Sequence, residues 1–133
     1  MPKVSFVIPA YNIESYIGRC IQSVKNQTFG DFEAIIVDDA STDSTPEKIV
    51  TAVGDDSRFE VVTHPTNQGL HLARKTAAAH TKGEWVFCLD GDDEVTPDFL
   101  EQVVAHIEKN PVDILHLGIT VIPENGVDPT DAK

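Results

Sequence analysis

Apolar residues along the chain follow two alternating rhythms. Short continuous runs occur at Val4 to Ile8, Phe32 to Val37, Phe59 to Thr63 and Glu84 to Leu89. Their length and their β-branched and aromatic content predict strands, largely buried in a sheet. Between them, apolar residues recur at helical spacing. Ile13, Tyr16, Ile17, Cys20, Ile21 and Val24 form one such stripe, with Asn12 placed to cap it. Ser44-Thr45-Pro46-Glu47 has the form of a capping box and opens a helix through about Val53. Leu70 to His80 predicts an alanine-rich helix, with Gly83 near its end. Thr96-Pro97 starts a helix carrying Phe99, Leu100, Val103, Val104 and Ile107, and Asp113 to Ile122 predicts a last strand, broken near Gly118. Strands separated by amphipathic helices imply a mostly parallel α/β sheet, with right-handed crossovers and helices on both faces. Residues 1–122 are expected to form one domain, and Pro123 to Lys133 a polar tail.

Composition changes this picture in two places. The 133 residues carry 22 acidic and 10 basic side chains, a net charge of −12. That balance argues against nucleic acid or an anionic membrane surface as the main partner. It also means that a phosphate-bearing ligand needs a local cation. Cys20 and Cys88 lie far apart, and both are expected to be small buried hydrophobes. Reduced thiols, and an apolar run at Val4 to Ala10 too short for a signal sequence, predict a cytoplasmic protein. No stretch has the length of a membrane span, so any membrane association is expected to be peripheral or to come from a part not present here.

Candidate chemistry lies in the loops that follow the predicted strands, where open α/β sheets bind their ligands. Asp90-Gly91-Asp92-Asp93 places three carboxylates in four residues after an apolar strand. Such a cluster needs solvation or a cation, and hard oxygen ligands suit Mg²⁺, Mn²⁺ or Ca²⁺. The alternative is an acidic turn that caps the next helix. Pro9-Ala10-Tyr11-Asn12 offers an aromatic ring for stacking, or else a helix-entry turn. Asp38 and Asp39 abut the second strand, where a carboxylate can accept from a ring N–H or ribose hydroxyls. His64 to Gly69 precedes Arg74 and Lys75, local partners for phosphate or residues of a solvated helix face.

Taken together, these motifs resemble the donor-binding half of family 2 glycosyltransferases. The resemblance rests on Pro9 to Asn12, Asp31 to Asp43, Asn67-Gln68-Gly69 with Ala73-Arg74, and Gly83 to Asp93, in that order. It covers about Pro2 to Asp98, and more loosely runs to Ile122. It implies a GT-A fold, a Rossmann-like sheet that binds a nucleotide sugar, usually UDP-linked, with Mn²⁺ or Mg²⁺. By the resemblance, Pro9, Tyr11 and Asn12 lie against the nucleobase, and Asp39 accepts from the uracil edge. Arg74 stands beside the nucleotide. Asp90-Gly91-Asp92 matches the DXD motif, with Asp90 toward ribose or metal and Asp92 on the metal, while Asp93 supports the site or touches the sugar.

The same resemblance implies an inverting transfer to a saccharide or lipid-linked acceptor, with a carboxylate base well beyond the acidic run. Glu124, Asp128 and Asp131 stand in the polar tail, and no base is assigned. The chain is therefore expected to be a truncated transferase that binds donor and transfers poorly alone. An uncovered sheet edge is expected to favour a homodimer. Lys75, Ala77 and Ala40 depart from the Asn, Gly and Gly frequent in the family. A non-catalytic nucleotide-sugar-binding module would share every motif. A Mg²⁺-binding receiver domain fits less well, because the first strand ends in Pro9-Ala10-Tyr11 and no Lys follows the last one. A nucleotidyltransferase lacks its Gly-rich triphosphate loop.

Overall fold

A computed structural model describes residues 1–110 and Val112. Four strands and four helices alternate along them: β1 (Val4–Ala10), α1 (Ile17–Lys25), β2 (Phe32–Asp38), α2 (Thr45–Val53), β3 (Phe59–Thr63), α3 (Leu70–Ala79), β4 (Trp85–Cys88) and α4 (Phe99–Lys109). The strands form one parallel sheet in the order β3-β2-β1-β4. The last strand expected from sequence, Asp113 to Ile122, the polar tail, and Glu124, Asp128 and Asp131 lie outside the described residues.

Two-residue periodicity divides β1 and β2 between two cores. Val4, Phe6, Ile8 and Ala10 join Phe32, Ala34 and Ile36 under α1, α2 and α4, which contribute Ile17, Ile21, Ile49 and Leu100 among others. On the opposite face, Val7, Ile35 and Val37 pack against Ala73 and Ala77 of α3. Small side chains at 73 and 77 let that helix lie close to the sheet. Every residue of β1 is buried, as expected of a central parallel strand covered on both faces.

Several local expectations are corrected. The stripe from Ile13 does not start a helix at Asn12: residues 13–16 form a turn, and α1 begins at Ile17 with Tyr16 at its N-cap. Asn12 takes a φ of 49° and spends its side chain on Thr42, whose N–H donates to Asn12 Oδ1 at 2.8 Å. Ser44 is the N-cap of α2, but the capping box is not made. Instead, the Ser44 N–H donates to Glu14 Oε2 and the Thr45 N–H to Asp43 Oδ1, each at 2.9 Å. At Ser44 a partner thirty residues away has displaced the local one. Cys88 is exposed rather than buried. Among the described strands β4 is one of the two at the sheet's edges, and of its residues Trp85 and Phe87 reach the core. α3 packs on β1 and β2, which leaves Val86 and Cys88 uncovered.

Strand β1 also runs through Pro9, where the sequence suggested a stop. The missing N–H falls past the last paired residues of β1 and β4. The carbonyls of Val7 and Pro9 point to the β4 side, and β4 ends at Cys88 opposite Val7. A residue's N–H points to the same side as its C=O, so Pro9 lacks its donor on the side where β4 has ended and the turn from Leu89 to Gly91 runs beside β1.

Ala40, just after β2, takes a φ of 60°. The left-handed region costs a residue with a Cβ about 1–2 kcal/mol. Ala40→Gly is therefore expected to stabilise the fold by about 0.5–1 kcal/mol after the added freedom of the unfolded chain is subtracted. Urea denaturation checks this, and an unchanged or lower midpoint would count against strain at Ala40.

Candidate donor-binding site

The chain leaves β1 toward β2 and β3 and returns on the other side to form β4. The loops after β1 and β4 therefore diverge from a topological switch point, where a crevice opens beyond the strand ends. A cleft of about 310 Å³ lies there, lined by Pro9, Ala10, Tyr11, Asp39, Asn67, Gly69, Asp90 and Asp92, with Ile13, Leu70 and Ala73 beneath. Pieces far apart in sequence thus share one wall.

The acidic loop is pinned to β1. The N–H groups of Leu89 and Gly91 donate to the carbonyls of Val7 and Pro9 at 2.9 and 3.1 Å. Asp93 N–H closes the turn onto the Asp90 carbonyl at 2.9 Å. This turn brings carboxylate oxygens of Asp90, Asp92 and Asp93 within 4.8 Å of one another. Burial pushes the Asp93 carboxyl above its usual value, and the charges of Asp92 and Asp90 push it further. Arg74 Nη2 donates to Asp90 Oδ1 at 2.8 Å, while the buried Arg74 Nε has no hydrogen-bond partner among the described residues. The cluster holds excess negative charge that this one exposed pair only partly answers.

Asp39 is built differently. Its residue is 2% exposed, at the end of β2 beside the N-terminus of α3. Oδ1 accepts from the Gln68 N–H at 2.8 Å and lies 2.8 Å from His64 Nδ1. Oδ2 accepts from the Gly69 N–H at 2.9 Å. Gly69 needs its φ of 95° to aim that N–H back, and a side chain there would be strained. Burial pushes the Asp39 carboxyl up. The hydrogen bonds from His64, Gln68 and Gly69 outweigh it and hold the group below the usual carboxylate range. Asn67 Nδ2 donates to the Asp39 carbonyl at 3.2 Å, which ties the loop before α3 to the end of β2.

Of the residues expected at the site, Pro9, Tyr11, Asp39, Asp90 and Asp92 line the cleft. Arg74 stands beside it through Asp90, and Asp93 completes the acidic cluster. Asn12 does not line it, because its amide joins the β1 and β2 loops through Thr42. His64 was not among the expected site residues, and Asn67 and Gly69 were seen only as parts of a motif. The thiol of Cys20 is buried under the acidic loop. Burial first, and then the charges of Asp93 and Asp92, push it up to about 12, which leaves it inert.

A family model described as Glycosyl transferase family 2 matches residues 5–132. The chain belongs to that family. Its sheet and helices are of GT-A type, as in its structural neighbours. Chondroitin synthase of Pasteurella multocida is 42% identical to this family 2 domain over 110 residues, which are 83% of the chain and 11% of that protein. The uncharacterized glycosyltransferase EpsJ of Bacillus subtilis is 35% identical over 118 residues, 89% of the chain and 34% of that protein. A crystal structure of S. aureus TarS in complex with UDP superposes with a TM-score of 0.75 at 34% identity, covering 80% of the chain and 32% of TarS. A mannosyltransferase from Pyrobaculum calidifontis, in complex with GDP-Man and Mn²⁺, gives the same TM-score at 27% identity, covering 84% and 34%. The domain thus spans less than half the length of these relatives. No helix among its described residues is long and apolar enough to cross a membrane.

Proposed function

We propose that this domain binds a uridine-linked nucleotide sugar together with Mn²⁺ or Mg²⁺, as the donor-binding part of an inverting glycosyltransferase. The observation that carries the reading is the cleft at the switch point. It joins an aromatic side chain, a buried ionised carboxylate and an acidic cluster in one 310 Å³ space. Several features support each part of it.

The acidic turn suits a hard divalent cation by its chemistry: three carboxylates with oxygens within 4.8 Å, two of them well exposed. Asp90 and Asp92 would hold the cation, with Asp93 in support. When bound, such an ion neutralises charge on a diphosphate, including that which develops as it leaves. The protein's own residues do the rest. Tyr11, 45% exposed at the cleft, offers a face for a nucleobase. Asp39 Oδ2 makes one hydrogen bond within the protein and retains capacity for a ring N–H. The Nε of Arg74, without a partner among the described residues, is a donor for which a ribose or phosphate oxygen would supply the acceptor. The stitching of the β1 and β2 loops by Asn12, Ser41, Thr42 and Thr45 fixes the cleft wall before a ligand arrives.

Calorimetric titration with UDP tests the reading. Binding is expected with Mn²⁺, at least about tenfold weaker with EDTA, and similarly weakened in Asp92→Asn, which keeps size but removes a ligand charge. UDP binding that is equally tight without metal, or unchanged in Asp92→Asn, rules out the metal role.

A further inference from the structure

His64 is buried at 6% exposure and sits behind Asp39, away from the open cleft lining. Its two ring nitrogens are both engaged. Nδ1 lies 2.8 Å from Asp39 Oδ1, and Nε2 lies 2.8 Å from the Thr76 hydroxyl on α3. An ionised carboxylate can only accept, so Nδ1 must carry a proton, which leaves Nε2 to the Thr76 hydroxyl. With the Gln68 N–H on the same oxygen, Oδ1 is filled. The capacity left over is on Oδ2. The ring therefore helps to fix which oxygen of this cleft-lining carboxylate keeps a free lone pair, and its role as an acceptor. Thr76 lies two residues beyond Arg74, so the same contact fastens the carboxylate to the helix that carries the cleft's arginine.

We propose that His64 is a positioning residue for base selection: by locking Asp39 as an oriented acceptor, it lets the cleft prefer a pyrimidine with an N–H at ring position 3 over one with a lone pair there. This rests on the uridine reading above. Uracil presents a donor at N3, and cytosine an acceptor. A carboxylate held in one orientation attracts the first and repels the second, whereas one free to rotate or take up a proton can serve both.

The test compares UDP and CDP binding to the full chain with Mn²⁺ by calorimetry, in wild type, His64→Asn and His64→Gln. An Asn amide nitrogen reaches the position of Nδ1 and can still donate to Asp39, while giving up Thr76. A Gln amide reaches toward Thr76 and gives up Asp39. Wild type is expected to prefer UDP by at least about tenfold, the cost of one lost hydrogen bond to a charged group. His64→Asn should retain most of that preference, and His64→Gln should lose it. Long-range ¹H–¹⁵N NMR of wild type should show the His64 proton on Nδ1, a signature independent of any variant's folding. A proton on Nε2 alone, or equal UDP-to-CDP ratios in the two variants, overturns the proposal while leaving the uridine reading intact. Wild type that binds UDP and CDP equally overturns the uridine reading itself, and this proposal with it.

Discussion

Asp39→Ala is expected to destabilise the domain by about 3 kcal/mol, although the residue borders an open cleft. Three donors converge on its carboxylate: the His64 ring and the N–H groups of Gln68 and Gly69. Alanine leaves all three without their acceptor in a site that is 2% exposed. A buried donor without a partner costs about 1–3 kcal/mol, and water entering from the cleft recovers part of the total. UDP affinity is expected to fall by a further factor on the order of tenfold to a hundredfold, beyond any loss for ADP. Urea denaturation reads the first effect and calorimetry the second. Equal losses for UDP and ADP would refute the assignment of Asp39 to base recognition.

The same carboxylate gives the fold an acid limb. Its folded pKa lies below the ordinary value, because the His64, Gln68 and Gly69 hydrogen bonds outweigh burial. A depressed carboxylate contributes stability that is complete above the unfolded value of about 3.9 and is lost as pH falls toward the folded one. The stability difference between wild type and Asp39→Asn should therefore be flat above about pH 5 and shrink on acidification below about pH 4. A difference that grows on acidification contradicts the hydrogen-bonding account.

Much of this architecture was legible before any coordinates, for a physical reason. The strands of the core are continuous apolar runs because both sheet faces are covered, and the helices show their stripe because only one side is. Parallel order then places the loops at one edge, so a cleft joining Tyr11, Asp39 and Asp92 follows from sequence position. What misled was local reasoning about polar residues whose partners are distant. Asn12 looked like a cap for the helix beside it, yet it bonds Thr42, thirty residues on. Glu47 completed a capping box on paper, but Glu14 took the Ser44 N–H. His64 was read as part of a polar loop, since nothing in its neighbourhood announces a bond to a carboxylate 25 residues earlier. Cys88 reads as a core residue because the short apolar run to Leu89 does not reveal which face its helices leave bare.

Gly91→Ala is expected to weaken the proposed cation site at the acidic turn more than it weakens the fold. Gly91 is buried between Asp90 and Asp92, against the end of β1. A Cβ there would stand 2.4 Å from Ile13 Cδ1, 2.9 Å from the Pro9 carbonyl oxygen and 3.0 Å from Ile17 Cδ1. The isoleucine side chains can turn aside, but the Pro9 oxygen belongs to a central strand buried on both faces and cannot follow. The turn must lift away from β1, stretching the Gly91 N–H to Pro9 bond and moving the carboxylates on either side. Overpacking of this kind costs about 1–3 kcal/mol, which a domain of this size can survive. Metal ligands tolerate displacements of only a few tenths of an ångström, so Mn²⁺ affinity should fall at least about tenfold. Gly83→Ala supplies the control, because its Cβ would meet Ser5 Oγ at 2.4 Å and the Ser5 N at 2.8 Å, away from the acidic turn. That variant should lose comparable stability and keep its Mn²⁺ affinity. Thermal unfolding, with Mn²⁺ titration followed by electron paramagnetic resonance, separates the two effects. Equal Mn²⁺ affinity in the two variants would mean that contact with β1 does not set the geometry of the acidic turn.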